Sequence, residues 1–231
     1  MKKTFLVALA GLTVVFGSSC LNDDNNNVVP PVASFGLVNA SPTSPGLDVV
    51  LNSDLVTENL TYGNDDGYYA VMPGTYVLKM NETGTVNTLA TANVSMAGGV
   101  AYSIFASDSA SHMKLSMAED KTTTPPSDSI RVRFLNFSSD APSADLLKDG
   151  EVLIADRGYN GIATQPSQGD FITLKSGTFN FTVQKTGAAD VLVPATSLTL
   201  NGGKIYTLYL RGFVAGSGPQ TLTLDTLLHN Q

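Results

Sequence analysis

The chain has 231 residues, room for one or two domains at about 100–200 residues each. Its 42% hydrophobic content excludes a wholly disordered chain, and 14% charged residues with 21 glycines suit a turn-rich β protein. The formal charge of −7 excludes nucleic acid as an expected partner, and the single cysteine, Cys20, excludes an intrachain disulfide and a thiolate zinc site.

Residues 1–19 read as a signal peptide, with Lys2 and Lys3 ahead of an apolar run from Phe5 to Phe16 and then small residues. The run is shorter than the roughly 20 residues a membrane-spanning helix needs. "GSSC" ahead of a polar segment resembles a bacterial lipoprotein signal, in which the cysteine is acylated and becomes the new N-terminus. Gly17 stands where such signals favour Leu. That resemblance implies a palmitate-bearing anchor at Cys20 and an outer-membrane lipoprotein, surface-exposed or, alternatively, periplasm-facing. Several acyl chains at about 0.8 kcal/mol per buried CH₂ hold far more firmly than one. Loss of Lys2 and Lys3 with the signal takes the net charge from −7 to −9.

Residues 20–32, "CLNDDNNNVVPPV", form an expected disordered tether. Asp23 and Asp24 after the cysteine are similar to a surface-export signal of one Gram-negative lineage.

Beyond the tether the chain repeats itself. "FGLVNASPTSPGLDVVLN" from Phe35 answers "RFLNFSSDAPSADLLKDG" from Arg133, pairing Asn39 with Asn136, Ser41 with Ser138, Pro45 with Pro142 and Asp48 with Asp145. Tyr62 pairs with Tyr159, "MPGTYVLKM" with "KSGTFNFTV", and "VSMAGGVAYSI" with "LTLNGGKIYTL". Such an ordered set marks a tandem duplication. The boundaries expected are 33–120 for the first copy, 121–128 for a Pro125-Pro126 linker, and 129–231 for the second.

Within the copies the apolar period is two. Phe179, Phe181 and Val183 face one way, Thr178, Asn180 and Thr182 the other; Ile130, Val132 and Phe134 alternate with Arg131 and Arg133. "IYTLYLR" is apolar on both faces, as a strand buried between two layers is. No mature stretch keeps a helical period for three turns. The expected fold is all-β, two tandem antiparallel β-sandwiches of immunoglobulin or prealbumin type. Gly74 and Gly177 are expected in turns needing a positive backbone angle, followed by Tyr76 and Phe179 entering the cores. Asp48 and Asp145 are expected to bond backbone amides of the preceding proline-containing turn.

The ordered set "NASPTSPGLDV", Leu55-Val56, Tyr62-Gly63, "MPGTYVLKM" and "AGGVAYSIFA" resembles the family called domain of unknown function 4397. The second copy keeps "SSDAPSADLL" but carries "LKSGTFNF" at the later strand. The resemblance implies a bacterial envelope or extracellular β-domain. It brings no catalytic or ligand residues.

Three clusters bear on function. "YGNDDGYYAVMP" groups Tyr62, Asp65, Asp66, Tyr68 and Tyr69, tyrosines beside carboxylates of the kind that grip sugars or peptides. Read as an EF-hand it has Tyr62 and Pro73 at the positions where acids are essential, leaving at most an irregular Ca²⁺ site on Asp65 and Asp66. "DSASHMK" puts Ser109 and Ser111 near His112, but no nucleophile elbow occurs, and the only other histidine, His229, sits near the end of the chain. Triplets at Asp108, Asp128 and Asp225 look like O-glycosylation acceptors, with Ser109, Ser129 and Thr226 as the modified residues. The expectation is a non-enzymatic, lipid-anchored envelope protein with a structural or adhesive role, needing no metal or cofactor. A glycan- or peptide-binding module using the Tyr-rich stretch is the alternative, its partner a protein or glycan of unknown identity.

Overall fold

The structure, a computed structural model, describes residues 31–229. The signal segment, Cys20 and most of the tether lie outside the described residues. The first copy contributes β1 (Ala33–Asn39), β2 (Leu47–Leu51), β3 (Asp54–Leu60), β4 (Asp65–Val71), β5 (Gly74–Glu82), β6 (Thr88–Met96), β7 (Ala101–Ser107) and β8 (Lys114–Asp120). The second contributes β9 (Ser129–Asn136), β10 (Ala144–Lys148), β11 (Glu151–Arg157), β12 (Ile172–Lys175), β13 (Gly177–Lys185), β14 (Val191–Leu200), β15 (Ile205–Arg211) and β16 (Thr223–Leu228). No α-helix occurs among the described residues, only short 3₁₀ turns such as Ala110–His112 and Pro166–Gly169.

Each copy folds as two four-stranded sheets. In the first the orders are β4-β1-β7-β8 and β3-β2-β5-β6; in the second, β12-β9-β15-β16 and β11-β10-β13-β14. The sheets are not wholly antiparallel, a departure from expectation. β1 pairs with β7, and β9 with β15, in parallel. Parallel neighbours need a long crossover. Here the strands of the opposite sheet supply it, because the chain changes layer between β1 and β7.

Alternation fills both interiors as expected. Phe35, Leu37, Leu47, Val49, Leu78 and Ile104 form the first core; Ile130, Val132, Phe134, Phe181, Val183 and Leu208 form the second. Each fully buried side chain of this size contributes about 1.5–3 kcal/mol against exposure.

Two scaffold expectations change. Gly74 and Gly177 do not have positive φ; they open β5 and β13. The rings of Tyr76 and Phe179 fold back over them, so a Cβ would meet Tyr76 Cε2 at 3.5 Å and Phe179 Cζ at 3.3 Å. The glycines make room for an aromatic cover, and those rings are partly rather than fully buried. Asp48 and Asp145 do bond amides, but of the following strand and a later turn, not of the preceding turn. Asp48 accepts from Asn59 N, Thr83 Oγ1 and Gly84 N; Asp145 accepts from Asp156 N, Thr186 Oγ1 and Gly187 N. Each carboxylate ties the end of the next strand to a turn further along the chain, and the same clamp occurs in both copies.

The segment between β8 and β9 is packed. Pro125 is buried, Arg131 Nη1 donates to Thr123 O at 2.7 Å, and a Cβ on Gly202 would sit 1.8 Å from Ser127 O.

A third apolar cluster lies between the sandwiches. Val38, Phe105 and Ala118 from the first meet Leu135, Phe137, Tyr209 and Leu227 from the second. Phe105 stacks on Phe137 at 4.3 Å and meets Tyr209 edge-on at 5.7 Å. This explains the doubly apolar β15: one face lines its own core, the other this seam. The molecule is thus a four-layer stack. β7 pairs with β8 as β15 pairs with β16, so Phe105 and Tyr209 occupy equivalent positions, as do Asp120 and His229. Equivalent residues that touch each other define a pseudo-twofold, isologous interface.

Candidate functional site

The seam carries a buried polar circuit. Arg133, on the solvent-side position of its own alternation, is fully buried, because that face of β9 meets the other sandwich. Its Nη2 bonds Asp120 Oδ1 at 2.5 Å, Nη1 donates to Glu119 O at 2.8 Å, and Nε donates to Thr207 Oγ1 at 2.6 Å. Its guanidinium lies 4.5 Å from the centre of the Phe171 ring. Tyr68 Oη and Ser103 Oγ both donate to Asp120 Oδ2 at 2.7 Å.

His229 closes the circuit, its Nδ1 2.6 Å from Tyr68 Oη and its Nε2 2.6 Å from Thr207 Oγ1. The proton count assigns the tautomer. Tyr68 has one proton and gives it to Asp120, so Nδ1 must donate to Tyr68. Thr207 accepts from Arg133, so its own proton goes to Nε2. The imidazole is neutral. Burial pushes its pKa down to about 4 against the pull of Asp120, with Arg133 acting in the same direction as burial. Burial and the neighbouring Asp120 push the Tyr68 hydroxyl far up, so it stays protonated.

Tyr68 reaches this position through a bulge. Phe35 pairs with Tyr69 but Leu37 with Asp66, leaving Gly67 and Tyr68 opposite Gly36 alone. The extra residue re-aims the side chain, as bulges do. Beside it opens a cleft of about 200 Å³ lined by Asp65, Asp66 and Tyr68 from the first sandwich and by Leu227 and His229 from the second.

Of the five residues predicted from the Tyr-rich stretch, the cleft gathers Asp65, Asp66 and Tyr68. Tyr62 lies apart, its ring under the Arg211 guanidinium at 4.6 Å, with Arg211 Nε bonded to Asp225 Oδ2 at 2.7 Å. Tyr69 turns into the first core against Phe35, its hydroxyl on Asp66 Oδ2 at 2.5 Å. Burial would raise the Asp66 pKa, but bonds from Thr57, Tyr69 and Gly67 hold it below the ordinary range. Asp65 is raised, by burial first and then by Asp225 and Asp66. Among the described residues no three His, Cys, Asp or Glu side chains converge as a metal set.

Ser109 and Ser111 both reach His112 Nδ1, at 3.2 and 2.9 Å, on the short turn Ala110–His112. That contact is local and solvent-facing. Ser129 opens β9 with its hydroxyl on Asp128 Oδ1, and Thr226 lies half-buried within β16. Sequence reasoning missed Arg133, Asp120 and His229. The usable signal was the double-sided apolarity of β7 and β15, which demands a second covering layer.

The fold and seam define a tandem β-sandwich protein with a built interface and a cleft on it. Residues 33–147 match the family described as Domain of unknown function (DUF4397), so this stretch of the chain carries a domain of that family. The match runs through the first sandwich into β9 and β10 of the second. No curated protein matches the chain. Among solved structures, the CBMbc module (family CBM26) of Eubacterium rectale Amy13K in complex with maltoheptaose is 13% identical. It covers 86% of this chain and 97% of its own, with a TM-score of 0.25. A structure describing alpha-glucan binding by a streptococcal virulence factor is 14% identical, covering 77% and 92%, with a TM-score of 0.23. Likeness at that level carries no argument about ligand.

Proposed function

We propose that this protein is a non-catalytic, lipid-anchored component of the bacterial outer membrane whose two fused sandwiches act as a rigid interaction body. The observation that supports it is the seam: a fully buried Arg133–Asp120 pair and a stacked Phe105–Phe137 contact join the copies into one unit. A stiff body on a tether suits presentation to a partner better than turnover. The anchor reading rests on Cys20 after its apolar run. In cells, the wild type should fractionate with membranes and take up labelled palmitate, whereas Cys20→Ala should be soluble and unlabelled. Identical behaviour of the two would sink the reading.

A second reading, glycan binding, draws on the cleft that Asp65, Asp66 and Tyr68 share. Carboxylates beside a tyrosine edge can accept bonds from sugar hydroxyls while the ring covers an apolar sugar face. A glycan array probed with the full protein should then show hits that weaken about tenfold in Asp65→Asn, given about 1.5 kcal/mol for a charge-assisted bond. A blank array would remove this reading.

A further inference from the structure

The pseudo-twofold gives the first cleft a counterpart across the seam. Phe35 pairs with Tyr69 as Val132 pairs with Ile172, so Phe171 stands where Tyr68 does. Ser103 faces Ala118 as Thr207 faces Leu227, so Ala118 and Glu119 stand where Leu227 and Leu228 do. The counterpart is larger, about 530 Å³, because the chain between β11 and β12 is longer there and carries the turns Gly161–Ala163 and Pro166–Gly169.

We propose that this second cleft binds a basic, apolar peptide segment of a partner protein, a lysine or arginine flanked by an apolar side chain. Its apolar side is formed by Met117, Ala118, Ile162, Pro166 and Phe171, with Tyr102 and Ser167 beside them. Its rim holds two carboxylates, Glu119 and Asp170, against one amine, Lys121. Glu119 meets Lys121 at 3.9 Å with both side chains more than half exposed, a pair weak enough to be exchanged for an incoming cation. An apolar wall with acids at its edge fits an amine or guanidinium on a methylene stem, which buries the stem and leaves the charge at the rim. A hydroxyl-rich sugar fits worse. One face of Phe171 is already taken by Arg133, and His229 meets the ring nearly at right angles, so at most one face is left for a sugar to stack on. The acidic body, at −7 overall, adds long-range attraction for a basic partner.

This inference goes beyond the interaction role proposed above by naming the partner's chemistry, and its readout depends neither on anchoring nor on a ligand in the first cleft. The protein purified from cells, in neutral detergent, is titrated by fluorescence anisotropy with labelled Gly-Lys-Phe-Lys-Phe-Lys-Gly, with the Glu-for-Lys peptide, and with maltoheptaose as competitor. The basic peptide should bind and the acidic one should not. Affinity should fall about tenfold in Glu119→Gln/Asp170→Asn, the loss expected for two partly exposed ion pairs. It should fall with salt and stay unchanged in Asp65→Asn, which alters the first cleft. Equal binding of both peptides, no binding of the basic one at millimolar concentration, indifference to Glu119→Gln/Asp170→Asn, or displacement by maltoheptaose would overturn it.

Discussion

Replacing Arg133 with alanine should destabilise the protein by about 3–5 kcal/mol, the usual cost of removing one partner from a fully buried ion pair. Both side chains are wholly buried. Without the guanidinium, Asp120 keeps two neutral donors, Tyr68 and Ser103, but no counter-charge. Thr207 loses the donor to its oxygen, and Glu119 O loses a bond as well. A cavity opens against Phe171 besides. The effect should also be one of coupling. Wild type should unfold in urea as one transition, while Arg133→Ala should separate the sandwiches into two. The double change Arg133→Met/Asp120→Leu should recover only the part of the loss that comes from the uncompensated charge, because the Tyr68 and Ser103 hydroxyls then lose their buried acceptor. A loss under about 1 kcal/mol for Arg133→Ala would mean the seam is not closed in solution.

The second large effect is on acid stability, through His229. Its folded pKa of about 4 lies below the ordinary 6.5. Between those values the unfolded chain binds a proton that the folded one refuses, so stability rises with pH across the window. The contribution is complete above about pH 6.5 and is lost as pH falls toward 4. A gap of roughly 2.5 pH units corresponds to about 3 kcal/mol. Protonation would set a second buried cation near Arg133 and leave the Thr207 hydroxyl proton without its acceptor. Facing groups from every packed element belong to this balance: Tyr68 from β4, Asp120 from β8, Arg133 from β9, and Thr207 from β15. His229→Gln should flatten the pH dependence of urea stability between 6.5 and 4, whatever it does to the stability at pH 7. Asp48 and Asp145, held below the ordinary carboxylate value of 3.8 by amide bonds and, for Asp145, despite burial, stabilise above that value and lose their contribution only below it. Their effect therefore falls under the His229 window and can be told apart from it. An unchanged slope in His229→Gln would show that the imidazole is not held neutral in the seam.

Sequence reading reached the fold because the fold's signals are local. Alternation in "TFNFTV" and "SIRVRFLN" needs only neighbouring residues to be compared, and it placed Phe181, Val132 and Phe134 in their cores correctly. The site was legible in part. Asp65, Asp66 and Tyr68 do share a cleft, but Tyr62 and Tyr69 were grouped with them by proximity in the chain. In β4 alternation sends Tyr68 and Tyr69 to opposite faces, and which of the two faces the core is set by the pairing of Tyr69 with Phe35. Arg133 was the hardest case. Alternation correctly turned it away from its own core, and a charged residue so placed reads as solvated.

What the sequence determined by itself was the all-β period and the repeated pattern, since each follows from residues a few places apart or from the comparison of two stretches of chain. The tertiary structure alone decided that the Arg133 face is dry, that β1 and β7 run in parallel, and that His229 meets Tyr68. The physical reason is that an outward-facing strand position is equally compatible with water or with a second protein layer. Only the meeting of two related sheet faces, residues far apart in the chain, selects between them.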